Sequence, residues 1–302
     1  MKRMTGILRV VTIALAVVGS LSVFANVVSA QAFEREHGFA ERLYVLDGGV
    51  GHAGNKSSWT NMMDADGTAI DISAPCFLIQ HASGYMMWDT CPNDIIAEMS
   101  PPGYASRGAA GIRWEKTQTV ASQLQALQVA PADVKYVGIS HSHADHTGNV
   151  EMFPDSTVLI QRLEYENAFQ GSGAPTGPPR LDAPVFSRSH PVKLVDGDLD
   201  VFGDASVIVG WVGGHTPGSQ IAMVNLRETG WVILSGDAVH TQENFDNRWI
   251  PRIAREDIVN RLDVLAAYWR IQDLMDHYNA QLWIQHDVGQ YNSLKKSPEF
   301  YK

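Results

Sequence analysis

The ten residues HSHADHTGNV, at positions 141–150, constrain this chain more than any others, because three histidines and an aspartate fall within six positions. In an extended segment, residues two apart point the same way, so His141 and His143 can converge on one ion. Imidazole is a good zinc ligand, and Asp145 and His146 can turn to a second ion in the loop that follows. A polar surface loop is the plainer reading. Against it stands the preceding segment, Val134–Ser140 (VKYVGIS), which reads as a buried strand running straight into His141. A strand leading into a histidine-rich loop is what a rigidly held metal site needs.

Three more ligand-type residues sit where strand patterns end. Val207–Val212 leads into Gly213-Gly214-His215-Thr216-Pro217-Gly218, Trp231–Leu234 into Ser235-Gly236-Asp237, and Leu282–Ile284 into Gln285-His286. A lone histidine or aspartate at a strand end is structural more often than not, but the repeated placement makes these a set. Elsewhere Leu43–Leu46 and a hairpin near residue 83 read as early strands. Gly48–Gly67 and Pro101–Gly111 read as long loops. Helical spacing runs from Glu115 to Leu127, with Val120, Leu124 and Leu127 on one side, and again from Asp257 to Tyr278. Alternating strands and helices predict an α/β layered fold, with residues 31–302 as one domain.

Residues 1–30 are set apart. A basic start (Lys2, Arg3, Arg9), an apolar run from Val10, and small residues ending Val28-Ser29-Ala30 predict a secretory signal peptide, hence a periplasmic or secreted protein. An uncleaved membrane anchor is the alternative, although Gly19, Ser20, Ser22 and Asn26 interrupt the run. Cleavage would leave no stable membrane association. The segment holds three of the 23 basic residues and none of the 33 acidic ones, so removing it moves the formal charge from −10 to −13. Such a surface repels phosphate backbones, which argues against nucleic acid as a partner.

Export also bears on the only two cysteines. If Ser83-Gly84 centres the hairpin, Cys76 faces Cys91, and an oxidising compartment would let them form a disulfide. Two separate buried thiols are the alternative, since a register slip would part them.

The set His141-x-His143-x-Asp145-His146, then His215, Asp237 and His286, resembles the metallo-β-lactamase superfamily, from about Leu43 to the end of the chain. Within it the chain is similar to the N-acyl-homoserine lactonases, in CFLIQHASGYMMWDT, VLIQRLEYENAF, GGHTPGS, SGDAVHTQENFDN and the terminal QHDVGQYNSLKKSPEFYK. The resemblance implies a four-layer αβ/βα sandwich with two divalent metal ions, zinc in the first place and iron, cobalt or manganese as alternatives. It places one ion on His141, His143 and His215, the other on Asp145, His146 and His286, and Asp237 across both.

The activity so implied is opening of the lactone ring of N-acyl-homoserine lactones, the quorum-sensing signals, by hydroxide generated between the metals. Asp145 would pass a proton to the leaving oxygen. His240 stands where the best-known lactonases have a tyrosine that contacts the substrate carbonyl; it either replaces that phenol as a donor or points elsewhere. Asp89 matches a strand-end motif and is expected to hold a ligand histidine rather than a metal. Trp59, Met62, Met63, Tyr104 and Phe245 are candidates to line an acyl groove from loops. An esterase or organophosphate hydrolase on the same scaffold is the nearest alternative. A protein that merely holds metal is a further one, although a structural zinc site closes with four protein ligands and this set offers more.

Overall fold

The computed structural model describes residues 37–60, 66–99, 103–105, 111–169, 186–187, 189–251 and 258–302. The segment read as a signal peptide, Met62 and Met63 lie outside the described residues. Gly38–Lys302 forms one compact unit.

Its strands, in chain order, begin with β1 (Arg42–Leu46), β2 (Val50–Ala53), β3 (Ile70–Ser73), β4 (Cys76–His81) and β5 (Gly84–Trp88). Then come β6 (Tyr104–Ala105), β7 (Arg113–Glu115), β8 (Val134–Gly138), β9 (Thr157–Gln161) and β10 (Val192–Val195). The last are β11 (Asp198–Asp200), β12 (Val207–Trp211), β13 (Gln220–Leu226), β14 (Gly230–Leu234) and β15 (Gln281–Trp283). They form a sheet ordered β1-β4-β5-β8-β9-β10, a second ordered β11-β12-β13-β14-β15, and a small third, β3-β2-β7-β6.

Side-chain alternation explains the layering. In β1 and β4, Leu43, Val45, Phe77 and Ile79 point into one cluster, which also receives Val207 and Val209 of β12, Ala222 and Val224 of β13, and Val232 and Leu234 of β14. The two large sheets therefore pack face to face. Their alternate residues point outward and are covered by helices. Tyr44, Leu46 and Leu78 meet Val120 and Leu124 of the helix Val120–Ala126. Ile221, Met223 and Ile233 meet Val264, Ala267, Tyr268 and Ile271 of the helix Ile258–Tyr278. A strand buried on both faces reads as a continuous apolar run, which is why β14 (GWVIL) looks the way it does in the sequence. The result is helix, sheet, sheet, helix, the α/β sandwich expected.

Three expectations need correction. The Gly48–Gly67 stretch is not all loop: β2 and a 3-10 turn (Lys56–Ser58) lie in it, and β2 is short enough to leave no readable period. The helix expected from Glu115 starts five residues later at Val120, because Arg113–Glu115 pairs with β2 and Thr119 caps the helix by accepting from Ser122 N–H. The hairpin register is also shifted. Phe77 pairs with Trp88 and His81 with Gly84, so the turn is Ala82-Ser83 and Cys91 lies beyond the strand rather than opposite Cys76. The two cysteines are nevertheless joined as a disulfide, Cα atoms 5.1 Å apart. Asp89 and Cys91 both take left-handed backbone (φ 53° and 59°), which turns the chain after Trp88 and brings Cys91 back to Cys76.

Candidate metal centre

The ends of β5 and β8 in one large sheet and of β12, β14 and β15 in the other reach the same edge of the sandwich, and each delivers a polar residue there. β8 runs through Ile139 and Ser140 into His141, and Ser140 C=O accepts from Gln220 N–H at 2.9 Å, tying this loop to the opposite sheet. Ser235 N–H donates to Trp283 C=O at 3.0 Å, so the Asp237 turn and the His286 turn start side by side. Gly236 (φ 50°) makes the approach possible: a Cβ there would lie 2.5 Å from Ser140 Cβ, so only glycine lets Asp237 enter the edge at this depth.

Two groups of potential ligands result, His141, His143, His215 and Asp237 in one and Asp145, His146 and His286 in the other. In the first, His143 Nδ1 lies 2.9 Å from His141 Nε2 and 3.0 Å from His215 Nε2. Asp237 stands between the groups and gives one oxygen to each. Its Oδ2 is 3.7 Å from His141 Nε2 and 3.4 Å from His215 Nε2, while its Oδ1 is 3.1 Å from His146 Nε2 and 2.9 Å from His286 Nε2. Asp145 Oδ2 closes the second group, 3.6 Å from His146 Nε2 and 3.5 Å from His286 Nε2.

The outward nitrogens are held, which fixes which nitrogen faces inward. His146 Nδ1 donates to Asp89 Oδ2 at 2.8 Å, and His286 Nδ1 donates to Ser73 C=O at 2.7 Å. Ser140 Oγ donates to Asp89 Oδ2 at 2.9 Å and accepts from His141 Nδ1 at 3.1 Å. Asp89 is fully buried and serves the centre through other residues, in the positioning role its sequence context suggested.

Charge supports a cation here. Burial, with the neighbouring imidazoles behind it, pushes His141 and His215 well below the ordinary histidine range, so both are neutral, the form in which imidazole binds metal. For His146, burial favours the neutral ring but is outweighed by Asp237, Asp145 and Asp89, which hold its proton affinity well above the ordinary range. His286 is raised too, burial again being outweighed by Asp237. Burial of Asp237 is likewise outweighed, by His286 and His146, so it stays ionised. His146 Nε2, His286 Nε2 and Asp237 Oδ1 are buried without a hydrogen-bond partner. Inward-facing nitrogens around a shared carboxylate, left unsatisfied by the protein, fit a divalent cation in each group.

The remaining sequence candidates divide. His240 turns into the centre: its Nε2 is 3.4 Å from Asp237 Oδ2, its ring stacks on His286 at 6.0 Å, and neither ring nitrogen has a hydrogen-bond partner. Trp59 is buried beside it, 5.2 Å from the His240 ring and 5.9 Å from that of His286. Tyr104 opens β6, opposite Trp114 of β7. Phe245 is a correction. It is not on a loop lining a groove but on the helix Gln242–Asn247, 3% exposed and packed on Tyr268 at 5.8 Å in the outer core of the second sheet. Sequence reasoning missed Ser140, Ser73 and Trp114, whose ring lies 6.5 Å from His286. It also gave no role to Glu164, buried beneath the His141 and His215 loops.

Residues 70–285 match the family model of the metallo-beta-lactamase superfamily. The N-acyl homoserine lactonase AttM of Agrobacterium fabrum is 30% identical over 266 residues, 86% of this chain and 98% of that one. The N-acyl homoserine lactonase AiiA of Bacillus thuringiensis subsp. kurstaki is 23% identical over the same shares. Among solved structures, an N-acyl homoserine lactone hydrolase with N-hexanoyl-L-homoserine at its catalytic metal centre superposes with a TM-score of 0.73 at 22% identity, over 87% of this chain and all of that one. AidC, a dizinc quorum-quenching lactonase, gives 0.58 at 16% identity, over 88% of this chain and 96% of that one. With the matched model covering well over half its length, this chain belongs to the metallo-beta-lactamase superfamily, whose members include metal-dependent hydrolases.

Proposed function

We propose that the chain is an exported hydrolase that opens the ring of N-acyl-homoserine lactones, with two divalent metal ions, zinc by preference, held by the two ligand groups. The observation that carries this reading is Asp237, which offers one carboxylate oxygen to each group. The lactonase relatives support the substrate class. The apolar N-terminal segment and the Cys76–Cys91 disulfide support export.

Bound there, such ions supply hydroxide from water near neutral pH and polarise a carbonyl oxygen. The chain's own residues do the rest. Asp145, whose side chain is partly open to solvent, is placed at the mouth of the second group to take the proton of the attacking water. It passes that proton to the ring oxygen as the C–O bond breaks, which leaves a hydroxyl and a free carboxylic acid. His240 offers an N–H to the carbonyl oxygen as it gains negative charge. Trp59, packed against His240 and His286, walls this side of the centre and keeps water from it.

The test is acid release in weak buffer from metal-loaded protein given a long-chain N-acyl-homoserine lactone, with His143→Ala and a simple aryl ester alongside. Acid from the lactone, lost in the variant, is expected. Turnover of the ester alone would replace the lactone with an esterase substrate.

A further inference from the structure

Glu164 lies on the helix Arg162–Phe169, inside the QRLEYE stretch, and its side chain is fully buried. It accepts four hydrogen bonds. Oε1 receives Ser142 N–H at 2.9 Å and Ser142 Oγ–H at 2.6 Å. Oε2 receives Thr216 Oγ–H at 2.6 Å and Gly218 N–H at 3.2 Å. One oxygen therefore grips the residue between His141 and His143, and the other grips the two residues that flank Pro217 after His215. All four donors are backbone amides or hydroxyls of the two loops, so both carboxylate oxygens are committed to holding them. The close approach is built into the sequence. A Cβ on Gly218 would lie 2.2 Å from Glu164 N, so a larger residue there would drive the loop off the carboxylate.

We infer that Glu164 is a positioning residue that fixes the distance between the His141/His143 pair and His215, and so selects for metal at that group over the Asp145/His146/His286 group. The two loops leave different strands and meet at the centre where the His215 ring packs edge-on against those of His141 and His143, at 4.7 and 4.8 Å. Glu164 is the clamp beneath them. It does not hold the second group, whose histidines are fixed by Asp89 and Ser73. The inference rests on the reading of these histidines as metal ligands, and it makes no use of the substrate.

The experiment is a cobalt titration of metal-free protein followed by proton NMR, which shows the shifted ring N–H signals of bound histidines. The first group has three such protons and the second has two, so the groups fill as distinct sets. Glu164→Gln keeps the size but replaces one acceptor oxygen by an NH2 group, which cannot accept from one of the loops. The three-histidine set is expected to weaken by about 10–100-fold, as loss of an outer partner of a ligand commonly does, while the two-histidine set keeps its affinity. Thr216→Val, which removes one donor and buries no unpaired charge, should weaken the same set to a lesser degree, and it decides the matter if Glu164→Gln does not fold. Equal weakening of both sets, or no change in either, would overturn the proposal. A wild-type chain that takes up no cobalt would instead sink the metal reading beneath it.

Discussion

At the residue scale, the candidate ligands that the fold brings together were legible because their signal is local. His141, His143, Asp145 and His146 fall within six positions, and His215, Asp237 and His286 each end a strand pattern. The residues that hold them were harder to see. Ser142 meets Glu164 22 positions away and Ser73 meets His286 across 213, so nothing in a local window announces those partnerships; Asp89 was legible as a strand-end aspartate, but its partner His146 lies 57 positions away. His240 is the residue whose chemistry most needs a measurement. It is 2% exposed, and its unpartnered nitrogens lie in the centre, where a hydrogen-bond donor would otherwise be wasted. His240→Ala is expected to lower kcat by about 100-fold, the lower end for one oxyanion donor, with metal content unchanged. Steady-state kinetics on the metal-loaded variant decide it, and unchanged kcat would show that the imidazole only packs against Trp59.

At the element scale, the hairpin shows where periodicity reaches its limit. Both strands were readable from their apolar runs, but the register was not, because Ala82-Ser83 and Ser83-Gly84 are both acceptable turns and differ by one residue. What decides between them is tertiary: β4 pairs with β1 on its other edge and β5 with β8, so the hairpin cannot slip alone. The disulfide then forms through the left-handed backbone at Asp89 and Cys91, which no strand pattern encodes. It closes a loop spanning 15 positions. Chain-entropy arithmetic for such a loop gives about 3 kcal/mol. The double variant Cys76→Ala/Cys91→Ala should therefore melt several degrees lower in differential scanning calorimetry. Cys91 C=O also accepts from Gly148 N–H just after the metal loop, so the same variant should bind metal more weakly. An unaltered melting temperature would mean that the surrounding core alone fixes the Asp89 turn.

At the scale of the whole molecule, two features make stability depend on solution conditions. The first is a pair of buried phenols. Burial pushes Tyr268, under the second sheet, and Tyr291, whose hydroxyl donates to Asp47 at 3.0 Å, well above the ordinary tyrosine range. A group raised on folding stabilises fully below its unfolded value and loses that contribution as pH climbs toward the folded one. The native chain should thus lose stability from about pH 10 upward. Tyr268→Phe/Tyr291→Phe should flatten the slope in melts against pH, and an unchanged slope would shift the cause to other groups.

The second feature is the centre itself, because its candidate ligands come from both large sheets: His141, His143, Asp145 and His146 follow β8, whereas His215, Asp237 and His286 follow β12, β14 and β15. A metal held there ties the two halves of the sandwich at one edge. The sheets also share a large apolar core, so their packing does not depend on the tie. Metal that binds only the folded chain adds stability by mass action, about 4 kcal/mol at a free concentration a thousand times the dissociation constant. Removing it leaves inward imidazoles and carboxylates crowded at the edge without the cation that balances them. Chelation should therefore lower the melting temperature clearly while the far-ultraviolet circular dichroism stays native, and adding zinc back should restore the melt. Loss of the far-ultraviolet signal on chelation would show that the edge, rather than the apolar core, holds the sheets together. No change in the melt would mean that the two ligand groups do not bind metal tightly enough to act as a tie.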